Sequence, residues 1–187
     1  MDADRELVDR TLAGELAAFE TLVDRHRDVV FRVAARIVGR DEAEDVSQDA
    51  FLRAFHRLSS FRGDANFRVW LLRITRNAAL DERSRRRADP VDSVEPLLDA
   101  SAVEEERVPV QQLESQERRE RLEGKVRLLS PAHRVVLVLR DIEGLSYEEI
   151  SMVTETPLGS VKGRLYRARG ELIEILRNNT YDWELPA

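Results

Sequence analysis

Apolar side chains recur at intervals of three and four residues along most of the chain, which is the spacing of amphipathic α-helices. In residues 15–38, for example, Leu22, Val30 and Ile37 lie on one stripe, and Gly39 ends the helix as a C-terminal glycine does. The same pattern predicts helices over residues 3–13, 41–58, 65–87, 111–128, 131–142, 147–154 and 157–178. The sequence therefore predicts an all-α fold.

Several predicted helices carry a start signal. Asp41 is followed three residues later by Glu44, and Ser146 by Glu149, which is the spacing of a capping box. Asp64 is the expected cap of the helix over 65–87. Two later helices begin with a polar residue directly before proline, at Ser130-Pro131 and Thr156-Pro157.

The helix over 65–87 has apolar residues on more than one side. Its main apolar face holds Phe67, Trp70, Leu71, Ile74 and Ala78. Leu72 and Leu80 point away from that face, among arginines, which predicts that something else covers this second surface. Asn77 lies at the edge of the main face, from where it could reach the loop 61–66.

The formal net charge of −6 is concentrated in the middle of the chain. Residues 88–110 contain seven acidic side chains, one basic side chain and three prolines, and they show no apolar periodicity. We therefore expect a flexible acidic linker over 88–111 between small helical domains at 1–87 and 112–187. The linker would serve either as a solvating spacer or as an acidic strand that mimics nucleic acid in a basic channel.

Composition excludes several classes of protein. The chain contains no cysteine, so disulfides and thiolate metal sites are excluded. No apolar run approaches the roughly 20 residues that span a bilayer. The charged N-terminal segment has no apolar core of a secretion signal. We expect a cytoplasmic protein without membrane insertion.

The start of the helix over 41–58 is strongly acidic. It holds Asp41, Glu42, Glu44, Asp45 and Asp49, with no base among residues 41–49. Acids near a helix N-terminus are favoured by the helix dipole, but five exceed what capping requires. A docking surface for a basic partner is the competing interpretation, and a carboxylate metal site is a weaker one, because nothing fixes a second group of ligands.

Residues 61–87 place arginines beside the aromatic residues Phe61, Phe67 and Trp70. Such a combination suits single-stranded nucleic acid, because phosphates attract cations and unpaired bases stack on flat rings. The alternative is a solvated basic helix whose aromatic residues belong to the core.

Residues 146–178 have the pattern of a helix-turn-helix. A short helix and a tight turn precede a longer helix, whose apolar stripe contains Leu158, Val161, Leu165, Ala168 and Leu172. Ser160, Gly163, Arg164, Tyr166 and Arg167 face away from that stripe. In a helix-turn-helix such a face enters the major groove of duplex DNA. The alternative is a plain helical hairpin with a solvated face.

Four motifs together resemble one family. They are EAEDVSQDAFLRAF, FRGDANFRVWLLRITRNAALD, LSPAHRVVLVLRDIEGLSYEEI and PLGSVKGRLYRARGEL. In this order and separation they resemble a bacterial sigma factor of the extracytoplasmic-function (ECF) group of the sigma-70 family. The resemblance implies sigma region 2 at 1–87 and region 4 at 112–187, no enzymatic activity and no cofactor. It implies core RNA polymerase and promoter DNA as partners, and an anti-sigma factor that blocks these surfaces.

The resemblance also assigns roles to individual residues. It implies polymerase binding by Asp41, Glu42, Glu44, Asp45, Gln48, Asp49 and Leu52. It implies recognition and melting of the −10 element by Phe61, Arg62, Gly63, Asp64, Ala65, Asn66, Phe67, Trp70, Arg73, Arg76 and Asn77. It implies recognition of the −35 element by Thr156, Pro157, Ser160, Lys162, Gly163, Arg164, Tyr166 and Arg167.

Some positions depart from the family pattern. Glu155 stands where the turn most often has glycine, although a non-glycine residue is uncommon at a positive φ. Gly163 removes a side chain from the reading face. Three other functions remain as alternatives: a helix-turn-helix regulator that acts without polymerase, a metal-dependent nuclease that uses the acids of 41–49, and an adaptor that binds only protein.

Overall fold

The computed structural model describes residues 3–88, 121–122 and 124–178, and these form helices joined by short turns. The helices are α1 Ala3–Leu12, α2 Leu16–Val38, α3 Ala43–His56, α4 Phe67–Ala88, α5 Pro131–Leu137, α6 Tyr147–Thr154 and α7 Leu158–Asn178. The all-α fold is confirmed. The predicted linker beyond residue 88, and the predicted helix before residue 121, lie outside the described residues. None of the described helices is long and apolar enough to cross a membrane.

In the N-terminal half, α2 lies in the middle of a four-helix cluster and contacts α1, α3 and α4. Its stripe side chains Leu22, Val30 and Ile37 are almost completely buried, as the three-and-four spacing predicts. Asp4 of α1 accepts a 2.8 Å hydrogen bond from the His26 ring of α2. This buried pair fixes α1 on the cluster.

Two helix starts differ from the prediction. The capping box at Asp41 is wrong, because α3 begins at Ala43 and no side chain caps it. Asp41 lies in the preceding turn, where the Ala43 amide bonds to the Arg40 carbonyl at 3.2 Å. The cap at Asp64 is also wrong: α4 begins at Phe67, and Asn66 accepts a 2.8 Å bond from the amide of Val69. Only a side chain directly before the helix reaches an amide of its first turn.

The predicted helix starts in the C-terminal half agree better with the structure. Ser146 accepts a 3.1 Å bond from the Glu149 amide, and Glu149 accepts a 2.7 Å bond from the Ser146 amide, so the predicted capping box is confirmed. The backbone bond from Ser146 lowers the pKa of the Glu149 carboxyl from its ordinary value. The predicted helix over 131–142 is α-helical only to Leu137 and continues as a π-helical segment, Val138–Ile142.

The second apolar surface of α4 is covered by the C-terminal half. Helix α4 contacts α2 and α3 on one side and α6 on the other. Leu72 is fully buried, and Leu80 is half-buried against the core. The expectation that something covers this surface is met within the chain itself.

Ionic contacts join the two halves beside this apolar contact. The Glu143 side chain is 3% exposed and accepts two 3.1 Å hydrogen bonds from Arg32 of α2. Arg68 of α4 donates to the same carboxylate at 3.3 Å and to the Glu143 carbonyl at 3.2 Å. Arg134 of α5 donates to the carbonyl of Ile37 at the end of α2, at 3.1 Å. A cation at a helix C-terminus also complements the helix dipole.

We predict that Glu143→Ala loosens the contact between the halves. Arg32 and Arg68 are 46% and 38% exposed, so both remain hydrated when the carboxylate is removed, and only the cross-link is lost. Small-angle X-ray scattering should show a radius of gyration several Å above the roughly 16 Å of a compact chain of this length. Glu148→Ala, an exposed acid of α6, is the control. An unchanged radius in Glu143→Ala would show that the other contacts hold the halves together without Glu143.

Candidate nucleic-acid interface

Helix α3 and the turn before it present an exposed stripe of four polar side chains and one leucine. The stripe contains Asp41, Glu44, Asp45, Gln48 and Leu52. Positions separated by three, four and seven residues share one face of a helix, so these side chains project together. Leu52 is 61% exposed, which is unusual for a leucine and places an apolar group beside the acids. We call these five residues the α3 stripe.

The other two predicted polymerase-binding residues have partners inside the N-terminal half. Glu42 forms a 2.5 Å ion pair with Arg86 of α4, and its side chain is 14% exposed. Asp49 pairs at 2.8 Å with Arg53, which also pairs at 2.7 Å with Asp81. The hydrogen bond that Arg53 donates to Asp81, together with the one it donates to Asp49, raises the pKa of the Arg53 guanidinium. Glu42 therefore ties the start of α3 to α4, and Asp49 holds Arg53, which makes a second link to α4.

The acids of α3 do not assemble a metal site. Within residues 3–88, 121–122 and 124–178, no group of three His, Asp or Glu side chains converges on a position that could hold an ion. The carboxylates that project outward lie along a helix face, and the others are paired with arginines.

The loop 61–67 is anchored at both ends by aromatic rings. Phe61 and Phe67 are buried and meet edge to face, with ring centroids 5.6 Å apart, and Trp70 lies 5.5 Å from Phe61. Arg62, Gly63 and Asp64 form the exposed apex, where Gly63 has a φ of +79°. The buried rings hold the ends of the loop, and its polar apex projects from the surface.

A cleft of about 200 Å³ opens beside this loop. Its lining consists of Arg57, Ser60, Trp70, Arg73, Ile74, Asn77 and Glu155. An aromatic ring, arginines and an amide together offer the chemistry that an unpaired base and its phosphate require. Arg57 and Ser60 were missed by the sequence analysis, because the turn that brings them to α4 has no motif of its own.

The hydrogen-bond partner of Asn77 is its own neighbour on α4. Its Oδ1 accepts a 2.8 Å hydrogen bond from Arg76, the preceding residue on α4. Burial lowers the pKa of the Arg76 guanidinium; Glu155 opposes this effect, and the positive charge of Arg164 adds to it. Arg76 and Asn77 therefore form one polar group on the side of α4 that faces the C-terminal half.

Helices α6 and α7 form a helix-turn-helix. The turn contains Glu155 in the left-handed region, with φ +54° and ψ +38°. Thr156 closes the turn, since its carbonyl accepts a 2.6 Å bond from the Ser151 hydroxyl. Val161, Leu165 and Ala168 of α7 are buried, in agreement with the predicted stripe. The departure from glycine at position 155 is thus accommodated by a strained backbone conformation.

The predicted −35 residues lie on the turn and the outer face of α7. Ser160, Lys162, Gly163, Tyr166 and Arg167 are exposed, and Tyr166 reaches 83% exposure. Pro157 is exposed and Thr156 is half-buried in the turn. Gly163 lies in open space, where a side chain would meet no atom within 4 Å. Arg164 is half-buried, on the side of α7 that faces Arg76.

The two predicted DNA-binding surfaces meet at the contact between the halves. Asn66 donates to Glu149 of α6 at 3.3 Å. Arg73 lies 3.8 Å from Glu155 of the helix-turn-helix. Carboxylates of the C-terminal half therefore contact the polar side chains that the sequence analysis assigned to the −10 element.

Comparison with known proteins agrees with this architecture. Two family models match: Sigma-70 region 2 over residues 22–88 and Sigma-70, region 4 over residues 119–172. RNA polymerase sigma-H factor of Pseudomonas aeruginosa is 36% identical over 184 residues, covering 94% of this chain and 95% of the relative. ECF RNA polymerase sigma-E factor of Escherichia coli K12 is 35% identical over 172 residues, covering 89% and 90%.

A solved structure has a similar fold. CnrH, determined in complex with the cytosolic domain of CnrY, superposes with a TM-score of 0.70 and 29% sequence identity. The similarity covers 95% of this chain and 99% of CnrH. Given the matched regions, the curated relatives and the shared fold, the chain belongs to the ECF group of the sigma-70 family of RNA polymerase sigma factors.

Proposed function

We propose that this chain binds core RNA polymerase, directs it to a promoter and assists in opening the DNA there. The observation that carries the proposal is the presence of three different surfaces on one small chain. They are the α3 stripe, the cleft beside loop 61–67, and the outer face of α7. A regulator that acted without polymerase would need only the last of them.

The α3 stripe suits a basic protein surface. Three exposed acids and Gln48 lie on one face, and the exposed side chain of Leu52 continues that face toward the C-terminal end of α3. Charged groups at the rim of an interface steer association, while a buried apolar side chain contributes most of the affinity. We propose that Leu52 inserts into the polymerase and that the acids set the orientation.

The cleft beside loop 61–67 suits an unstacked base. Removing a base from the duplex costs a few kcal/mol, which a stacking surface and hydrogen bonds to the base edge offset. Trp70 provides an aromatic wall, and Asn77 and Arg73 provide polar groups. The exposed apex of the loop, Arg62–Asp64, would contact the flipped base or its backbone.

Helix α7 suits the major groove of the upstream duplex. Arg167 and Tyr166 are exposed on its outer face, and arginine reads guanine by a bidentate hydrogen bond. Ser160 and Lys162 lie near the N-terminal end of the helix, where phosphate contacts are favoured. Gly163 leaves a gap in this face that a base or its methyl group can approach.

The contact between the halves covers part of the surface proposed to bind the −10 element. Arg73 and Asn66 are engaged by Glu155 and Glu149, so nucleic acid at these side chains competes with the C-terminal half. We propose that docking on polymerase separates the halves and exposes the part of the −10 surface that Glu149 and Glu155 cover. The factor acts in the cytoplasm as a binding protein and not as an enzyme, and an anti-sigma factor would oppose it by covering the same surfaces.

The first prediction from the proposed function concerns docking on core polymerase. Glu44→Lys with Asp45→Lys should weaken binding to core polymerase about tenfold or more, because like charges then face a basic partner. The fold should persist, since both side chains are exposed. Asp28→Lys, an acid of α2 whose side chain is 83% exposed, is the control. Binding is measured by fluorescence anisotropy, and equal affinities of all variants would refute the docking role.

The second prediction separates the two DNA surfaces. Arg167→Ala should reduce recognition of the upstream duplex by about 1–3 kcal/mol if a bidentate base contact is lost. Asn77→Ala should instead slow promoter opening, because a contact to the captured base is lost. Arg177→Ala, at the exposed end of α7, is the control. Phe61 is avoided because its ring is part of the core.

A promoter with a premelted bubble distinguishes these defects. Runoff transcription from the bubble should be restored for Asn77→Ala and remain reduced for Arg167→Ala. The same degree of restoration in both variants would refute the division of labour. Binding of the free chain to duplex promoter DNA, equal to that of the assembled holoenzyme, would favour a regulator that acts without polymerase.

The third prediction concerns the contact between Arg73 and Glu155. Glu155→Gly removes the carboxylate at a backbone position that glycine adopts without strain, so stability should stay within about 1 kcal/mol. Because a half-exposed ion pair contributes at most about 1 kcal/mol, the free chain should bind a single-stranded −10 oligonucleotide up to about fivefold more tightly. Glu155→Gln removes only the charge and should reproduce the gain. Unchanged affinity in both variants would contradict competition at this site.

A further inference from the structure

Arg5 of α1 reaches across to the loop 61–67, 57 residues away in sequence. Its Nη1 donates a 3.2 Å hydrogen bond to the carbonyl of Arg62. Its guanidinium carbon lies 5.9 Å from the centroid of the Phe61 ring, within the range of a cation–π contact. Neither interaction follows from a motif in the sequence, because α1 is distant from the loop along the chain.

The same guanidinium fills the space beside Gly63. A Cβ atom at Gly63 would lie 2.0 Å from Arg5 Nη1 and 3.3 Å from its Cζ. Gly63 also has a φ of +79°, in the region that side chains rarely adopt. The loop backbone therefore passes close to the guanidinium, and the absence of a side chain at Gly63 permits that approach.

Arg5 lies on a helix, α1, that is held in place by buried contacts. Val8 of α1 is 1% exposed in the core, and Asp4 holds His26 of α2 with a 2.8 Å bond. The Arg5 side chain itself is 47% exposed and pairs weakly with Asp9, at 3.6 Å. Because α1 is fixed in the core, the Arg5 side chain can constrain the apex of the loop, where Gly63 would otherwise be flexible.

We propose that Arg5 is a positioning residue for the loop 61–67, and that it sets the loop conformation that captures an unpaired promoter base. The inference rests on the proposed function of the loop and adds a role for α1. Arg5 bonds a backbone carbonyl and covers one side of the Phe61 ring. Its effect on the base is therefore transmitted through the loop.

The test measures capture directly. The probe is a single-stranded oligonucleotide with the −10 sequence of a promoter that the wild-type holoenzyme transcribes, carrying 2-aminopurine at the flipped position. The variants are Arg5→Ala, Arg5→Lys and Arg5→Gln, each assembled with core polymerase. Arg10→Ala and Asp9→Ala are the controls, because Arg10 is an exposed arginine of the same helix and Asp9 is the ion-pair partner of Arg5.

We expect Arg5→Ala to bind the oligonucleotide about tenfold more weakly, from the combined loss of one hydrogen bond and one cation–π contact. Arg5→Lys should be intermediate, because it keeps a charged donor without the planar fork. Arg5→Gln should also be weaker than wild type. The two controls should bind as wild type does, and affinity for core polymerase should be unchanged in all variants. The thermal midpoint of Arg5→Ala should fall by only a few °C, because the lost contacts contribute only modestly to folding.

Two results would overturn the inference. One is wild-type affinity and wild-type fluorescence change in Arg5→Ala and Arg5→Gln. The other is a salt dependence of log K that becomes shallower in Arg5→Ala, since this would identify Arg5 as a phosphate contact. A positioning role leaves that slope unchanged. If the wild-type holoenzyme itself does not prefer the −10 oligonucleotide over a scrambled one, it is the proposed function of the loop that fails.

Discussion

The arrangement of the two halves depends on one nearly buried carboxylate. Glu143 holds Arg32 and Arg68, which come from α2 and α4 of the other half. A carboxylate at 3% exposure requires compensation for its lost hydration, and here three hydrogen bonds from two cations provide it. Both arginines keep contact with water, so the penalty of desolvation falls mainly on Glu143. Such a contact orients the two surfaces, and both arginines can return to water if the halves separate as proposed.

Other carboxylates along the contact between the halves also contact polar or basic side chains. Glu143, Glu149 and Glu155 follow one another in the C-terminal half, and each meets a polar or basic side chain of the N-terminal half. Under the proposed function, Arg73 has two competing anionic partners, the Glu155 carboxylate in the closed chain and the phosphates of a bound strand. Since the closed contact is intramolecular, its effective concentration is high even though each pair is weak.

The sequence predicted the elements well and the contacts between distant elements poorly. Periodicity located α2, α6 and α7, and local chemistry located the capping box at Ser146, because each signal acts within a few residues. The sequence predicted Asp64 as the cap of α4, whereas the structure has Asn66. Both residue types are good caps, and only the path of the loop decides between them. Arg5, Arg57 and Glu143 were missed, since their partners lie on other parts of the chain and no spacing records such contacts.

The candidate site shows the same limit at the level of single side chains. Exposure of Tyr166 and Arg167 follows directly from the helical period of α7, because their positions oppose the buried stripe. Arg164 occupies the same outer face but lies half-buried near Arg76, and no property of α7 alone determines this. Two cations brought together in this way repel each other, and Glu155 between the halves reduces that repulsion. The non-glycine residue in the turn thus has a physical role that the turn itself does not require: it supplies negative charge beside Arg73, Arg76 and Arg164 at the contact between the halves.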